Sequence, residues 1–440
     1  MRRMMMSPKL SCDVWDGETR GPVPEAVNNV ITITTGAQLA GLADAVNSGT
    51  TYEGYTIRLA ADLDLNYKQW TPIGAFANYF SAWNPALLAP FKGIFDGKGH
   101  TVKNYVVNVT DKTQAAFFGY VDYPDGTTDF DDPSGGVVKN IRMYGAVANN
   151  SVKPNGIAAI GAAGIVGWNE GKVENCYFEG SVKAFDLSDA DTVQKATVGG
   201  ICSMLGNNAY VVNCVVGSNS EVIACGKTFS YAGGIAGYAY SMNTGYVQNC
   251  TVSSNVYIYS NMDAGGIVGG FCNKVSNCVC ATDNIRASVE GIEGYAANPN
   301  ESGYFAGGIV GAYGVETNSY WLQTPEYASI NDTYKLTYAI GTGTDVSRKK
   351  SALPALPAAS LLLSKYEAER AAVKLKATIY PVESSEAGQG VAISGQGVAV
   401  TPTALPNGGV GVLSLSGAGT VTVTVGGAAA IGPSCEMAVR

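Results

Sequence analysis

A five-residue glycine motif recurs along this chain at a spacing too short for independent globular domains and too long for single strands. Ala163-Gly164-Ile165-Val166-Gly167 returns as Gly199-Gly200-Ile201-Cys202-Ser203, Gly233-Gly234-Ile235-Ala236-Gly237, Gly265-Gly266-Ile267-Val268-Gly269 and Gly307-Gly308-Ile309-Val310-Gly311. The second glycines lie 36, 34, 32 and 42 residues apart. Each is followed by a second signature: Val173-Glu174-Asn175-Cys176, Val211-Val212-Asn213-Cys214, Val247-Gln248-Asn249-Cys250, Val275-Ser276-Asn277-Cys278 and a degenerate Thr317-Asn318-Ser319. Upstream the pattern continues in worn form, with Ala116-Phe117-Phe118-Gly119 in the first slot and Val102-Lys103-Asn104 and Val138-Lys139-Asn140 in the second. One unit cannot bury its own apolar face, so neighbouring units must stack into a solenoid coil by coil.

The repeated residue types suit stacking. Glycine at a coil corner permits positive φ or a close approach of successive coils. Asn104, Asn140, Asn175, Asn213, Asn249, Asn277 and Asn318 form a series in which side-chain amides at one corner can bond to the coils above and below. Cys176, Cys214, Cys250 and Cys278 would then form an inward column of small apolar groups. The ten cysteines include no CxxC. Most read as buried hydrophobes, which leaves room for one or two disulfides and little for a metal.

The repeat resembles the GLUG motif, whose pattern is approximately Gly-Gly-(Leu/Ile)-Val-Gly, a turn, then Val-x-Asn-(Ser/Cys)-Tyr; Ala163 to Val182 match it throughout. Similar proteins carry a leading region also visible here in Ile31-Thr32-Ile33-Thr34-Thr35, Ala61-Asp62-Leu63-Asp64-Leu65, Trp70-Thr71-Pro72-Ile73-Gly74 and the stretch Phe91 to Val102. The likeness spans about residues 13 to 325. It implies an all-β fold, a right-handed parallel β-helix (β-solenoid) of the kind found in surface proteins and adhesins. Within the leading region, Thr34 or Thr35 can cap a helix over Ala37 to Asn47, whose Leu39, Leu42, Ala43 and Val46 share one face and suit the plugging of a solenoid end.

The repeat stops near Lys335, and Ser351-Ala352-Leu353-Pro354-Ala355-Leu356-Pro357 reads as linker. Beyond it Val373, Leu375, Ala377 and Ile379 alternate with polar residues, and further strands are expected at Gly390 to Ser394, Val398 to Thr401, Val410 to Leu415, Thr420 to Val425 and Cys435 to Val439. Leu375 to Pro381 and Gly419 to Val425 resemble bacterial immunoglobulin-like domains of the intimin or invasin type, although the tryptophan common on their third strand is absent. The division expected is an N-terminal extension (1–30), the β-helix (31–334), a linker (335–358) and a small immunoglobulin-like β-sandwich (359–440).

Composition narrows the function. Twenty-eight basic and 36 acidic residues give a net charge of −8, and Arg348-Lys349-Lys350 is the one basic run, so a nucleic-acid partner is not expected. No apolar stretch is long enough for a membrane span. The opening Met1 to Pro8 lacks the apolar core of a secretory signal. No phosphate loop, nucleophile elbow or HExxH occurs, and no cofactor is expected. The single histidine, His100, sits in a turn and reads as structural. Asp122, Asp125, Asp129, Asp131 and Asp132 form the best place for paired carboxylates, in a loop whose composition reads as solvated. The aromatic residues Trp70, Phe76, Tyr79, Trp83, Tyr313 and Trp321 are candidates for stacking on sugars or protein. The function expected is therefore non-enzymatic: an extracellular structural or binding protein, a bacterial cell-surface adhesin or a phage virion fibre or decoration protein, that recognises a glycan or protein receptor and assembles with copies of itself or into a particle. The alternative is a polysaccharide-degrading β-helix enzyme, a lyase or glycoside hydrolase.

Overall fold

The computed structural model describes residues 13–322, apart from 77–87, 111–112, 131–132, 152–158, 186–194, 227–228, 241–244, 273, 283 and 288–304, together with Lys349–Lys350, Val391–Gln396, Ala399–Ala404, Val410–Ser416, Gly419–Val425 and Ser434–Val439. The chain divides into two compact units, Met1–Leu362 and Leu363–Arg440. The described part of the first is nearly all β, in long parallel sheets consistent with a parallel β-helix. One coil runs through Ala159–Ala163, Val166–Asn169, Lys172–Glu174 and Tyr177–Phe185. The next begins at Lys195–Gly199, which pairs in parallel with Ala159–Ala163 so that Ala159 stands opposite Lys195. Repetition of this path builds a 13-stranded sheet, a nine-stranded sheet and two six-stranded sheets. Lys349–Lys350, inside the segment expected to be linker, pairs in parallel with Tyr320–Leu322, opposite Trp321 and Leu322.

Asparagine, not the motif glycine, supplies the left-handed corners. Asn140, Asn175, Asn213, Asn249, Asn277 and Asn318 all have φ between 53° and 56°, a region in which asparagine is enriched among side-chain-bearing residues. Each of the first five sends its backbone N–H to the next coil, as in Asn175 to the Val212 carbonyl at 3.0 Å. The amide ladder is only partial: Asn175 Nδ2 donates to Asn140 Oδ1 at 2.7 Å and Asn318 Nδ2 to Asn277 Oδ1 at 2.9 Å, whereas Asn175 Oδ1 and Asn213 Oδ1 accept no hydrogen bond among the described residues. Asn104 does not belong to this column. It occupies a bulge in Thr101–Val109, where the register with the next coil shifts between Tyr144 and Gly145, and its amide donates to Asp64 Oδ1 at 2.9 Å. The corner preceding Asn140 is made instead by Lys98 (φ 52°) and Gly99 (φ 75°).

The motif glycines have ordinary negative φ and serve close approach. A Cβ on Gly265 would press on the Val268 carbonyl and lie 2.5 Å from the Gly311 nitrogen, and one on Gly237 would lie 2.7 Å from both the Ser203 carbonyl oxygen and the Val198 nitrogen. The two six-stranded sheets therefore meet backbone to backbone, a spacing that no side chain permits.

The interior is one continuous apolar core. At its N-terminal end the helix Gly36–Asn47 is capped by Thr35, with a capping box between Thr35 and Gln38, and buries Leu39, Ala40, Leu42, Ala43 and Val46. The eight cysteines with described side chains are buried thiols. Cys176, Cys214, Cys250 and Cys278 form a column in which each Sγ faces its own preceding strand's last carbonyl, as Cys250 Sγ does Gln248 O at 3.2 Å. Burial holds the thiols of Cys214, Cys250 and Cys278 well above the usual range, so none presents a thiolate. Cys12 lies outside the described residues.

In the second unit Val391–Gln396, Gly419–Val425 and Ser434–Val439 form a three-stranded antiparallel sheet, and Ala399–Ala404 pairs antiparallel with Val410–Ser416. The strand expected over Val373 to Ile379 lies outside the described residues.

Candidate functional site: an aromatic strip and a charged column

Two of the expected binding aromatics are interior residues. Trp70 is 1% exposed; it stacks on Phe117 at 4.8 Å, meets Trp15 edge-on at 5.8 Å and donates Nε1–H to the Phe117 carbonyl at 3.1 Å. Trp321 is fully buried. It stands in register with Cys280 at the next rung of an inward column, and its ring fills the space over Gly308 where a Cβ would clash. Both rings fill space inside the coils, where indole offers the largest apolar volume. Tyr79, Trp83 and the Phe76 side chain lie outside the described residues.

Tyr313 is 48% exposed and belongs to a strip of rings that the sequence alone does not group. Tyr231 and Tyr238 lie 4.9 Å apart, Tyr238 and Phe271 5.3 Å, Phe271 and Tyr313 5.1 Å, and Tyr313 and Phe305 6.1 Å. At the other end the Lys195 ammonium sits 5.2 Å from the Phe229 ring centre and 5.7 Å from that of Tyr238. The strip exists because two corners turn outward. Tyr238, Gly270 and Ala312 are in register, and the residue following Tyr238, Ala239, is buried in the core. The residues in the matching place, Phe271 and Tyr313, have φ of 61° and 48°. Left-handed backbone is costly for a bulky side chain, by roughly 1–2 kcal/mol, so these corners place two rings outside where lower coils place small or apolar residues inside.

A charged column lies on the lower coils of the same six-stranded sheet. Val121, Asn169 and Leu205 are in register, so Asp122, Glu170 and Gly206 follow one another in successive coils, roughly 4.8 Å apart along the stack. Lys92 joins the column from below, 3.8 Å from Asp122 Oδ2 and 2.6 Å from Asp125 Oδ1. Glu170 accepts the Trp168 Nε1–H at 2.9 Å and occupies space that a Cβ on Gly206 would take. Burial, reinforced by the Asp122 charge, pushes the Glu170 carboxyl up to about 7, and burial also raises Asp122 despite Lys92. Asp131 and Asp132 lie outside the described residues. Sequence reasoning found Asp122 but missed Glu170, whose only signal is its place after a motif strand.

Glu170 makes stability depend on pH. The folded chain keeps the proton up to about pH 7, while an ordinary glutamate releases it near 4.5, so stability is full below about 4.5 and declines as pH rises through 7. Glu170→Gln keeps an acceptor for Trp168 and removes the titration. Relative to the native chain it should gain about 1–3 kcal/mol between pH 4 and pH 8, read from urea midpoints at both values. An equal gap at both would overturn the assignment.

His100 pairs with a carboxylate: Nδ1 lies 3.0 Å from Asp62 Oδ1, which also accepts the Thr101 N–H at 2.9 Å. Among the described residues no group of three or more His, Cys, Asp or Glu side chains is arranged to hold a metal, and no helix is long and apolar enough to cross a membrane.

No protein-family model and no curated protein matches the chain. Among solved structures it is similar to one from Bacteroides ovatus put forward as an immunoglobulin A1 protease, at 18% identity over 73% of this chain and 80% of that one, with a TM-score of 0.45. It is also similar to a structure named IgA1 Protease, at 13% identity over 66% of this chain and 21% of that one, with a TM-score of 0.33, so it spans about a fifth of that chain's length. Neither likeness is close enough to carry a function to this chain.

Proposed function

We propose that this chain is a non-enzymatic binding protein displayed outside the cell, whose stacked coils hold an aromatic strip against a glycan. The observation that carries this reading is the outward pair Phe271 and Tyr313, kept on left-handed backbone, a conformation that asparagine supplies at a different corner of the coils. Strain of this kind persists where a site requires it, and flat rings in series suit the apolar faces of sugars. Repeats similar to GLUG proteins and a C-terminal unit resembling an immunoglobulin-like module fit display by a bacterial cell surface or a phage particle.

One observation favours a second reading, polysaccharide cleavage. Glu170 holds a proton to about pH 7 beside Asp122, the pairing of acid and carboxylate that glycoside hydrolysis uses. A glycan array run beside a reducing-sugar release assay separates the two. The expected result is glycan binding without release. Release that disappears in Glu170→Gln would replace the first reading with the second, and neither binding nor release would leave the strip to a partner protein.

A further inference from the structure

Lys195 is the cation on the aromatic strip, and no ion pair joins it to a carboxylate among the described residues. Its ammonium rests on the Phe229 and Tyr238 rings at 5.2 and 5.7 Å. Burial lowers its proton affinity, and among the described residues no carboxylate offsets the effect. Asp263, in register with Tyr231 and Phe305, is buried and accepts the Phe305 backbone N–H at 3.3 Å. A half-buried ammonium on ring faces has lost part of its hydration, and the rings return only a fraction of it. An anion brought to that end of the strip would restore the rest and would make charge-assisted hydrogen bonds.

From Lys195 the strip proceeds in steps of 5.7, 5.3 and 5.1 Å through Tyr238 and Phe271 to Tyr313. A ligand that uses both ends is therefore longer than one sugar ring and bears negative charge at one end. We propose that the strip binds an anionic oligosaccharide, with sugar faces on Phe271 and Tyr313 and an acidic substituent paired with Lys195. This rests on the aromatic strip being a glycan site, as proposed above. Carboxylated and sulfated sugars share the required chemistry.

The test is calorimetric titration of the full chain with oligogalacturonate, a heparin-derived oligosaccharide and a neutral cello-oligosaccharide of similar length. The expected result is at least tenfold tighter binding of one or both anionic probes than of the neutral one, with the difference shrinking as salt rises. Which anionic probe binds tells carboxylate from sulfate. Lys195→Gln should erase that preference while leaving weak neutral binding, Lys195→Arg should keep it, and Tyr313→Ala should weaken every probe. Equal binding of neutral and anionic probes, or a preference that survives Lys195→Gln in a chain of native melting temperature, would overturn the anionic assignment and leave the strip a glycan site. Binding of no probe would overturn both.

Discussion

Replacing Gly265 by valine should lower the melting temperature of the solenoid by roughly 10 °C or more, or prevent folding outright. The added Cβ would press on the Val268 carbonyl and lie 2.5 Å from the Gly311 nitrogen. Both neighbours are backbone atoms in parallel-paired strands, that of Val268 on both sides and that of Gly311 on one, so neither moves without breaking ladder hydrogen bonds. Overpacking in cores costs typically 1–3 kcal/mol when side chains can yield, and here only backbone is available, which places the change among the rare losses above 4 kcal/mol. Gly54→Ala is the control. Gly54 has φ of 79° and nothing within 4 Å of its would-be Cβ, so its cost is limited to the left-handed conformation, roughly 1–2 kcal/mol. Thermal unfolding followed by circular dichroism compares the two. A Gly265→Val loss no larger than that of Gly54→Ala would show that the sheets are not held at glycine contact distance.

Tyr313→Asn should separate binding from stability. Asparagine tolerates φ of 48° better than tyrosine does, which offsets the loss of ring contacts with Phe271 and Phe305. The melting temperature is expected to stay level or rise. Glycan affinity is expected to fall at least tenfold, equivalent to about 1.4 kcal/mol, since the most exposed ring of the strip is gone. The two readouts on one variant decide the matter: a lower melting temperature with unchanged affinity would mean that Tyr313 is a packing residue at a solenoid corner.

Much of the architecture was legible because in a stack each residue meets copies of itself. The recurrence of Asn175, Asn213, Asn249 and Asn277 in sequence is the same fact as their column in space, and the cysteine after each follows. The helix Gly36–Asn47 was legible from its cap and its apolar face. Asn104 misled because a bulge looks the same as a corner when only neighbouring letters are read: Val-Lys-Asn occurs in both. The aromatic residues misled more. Trp70 and Trp321 sit among polar and glycine-rich residues in sequence yet point into the core.

For the candidate site, Asp122 and Tyr313 could be singled out from their surroundings in the chain, but Glu170, Phe271 and Lys195 could not. Their significance comes from lateral neighbours tens of residues away, such as Asp122 one coil below Glu170 and Phe229 one coil above Lys195. What the sequence by itself determined is the coil: its stride, its asparagine turn, its thiol column and the glycines that keep a side chain out. Only the tertiary structure decided what those glycines are for and which rings face outward. Backbone proximity between sheets and the left-handed twist at Phe271 and Tyr313 are properties of how coils are seated on one another, and no single repeat contains them.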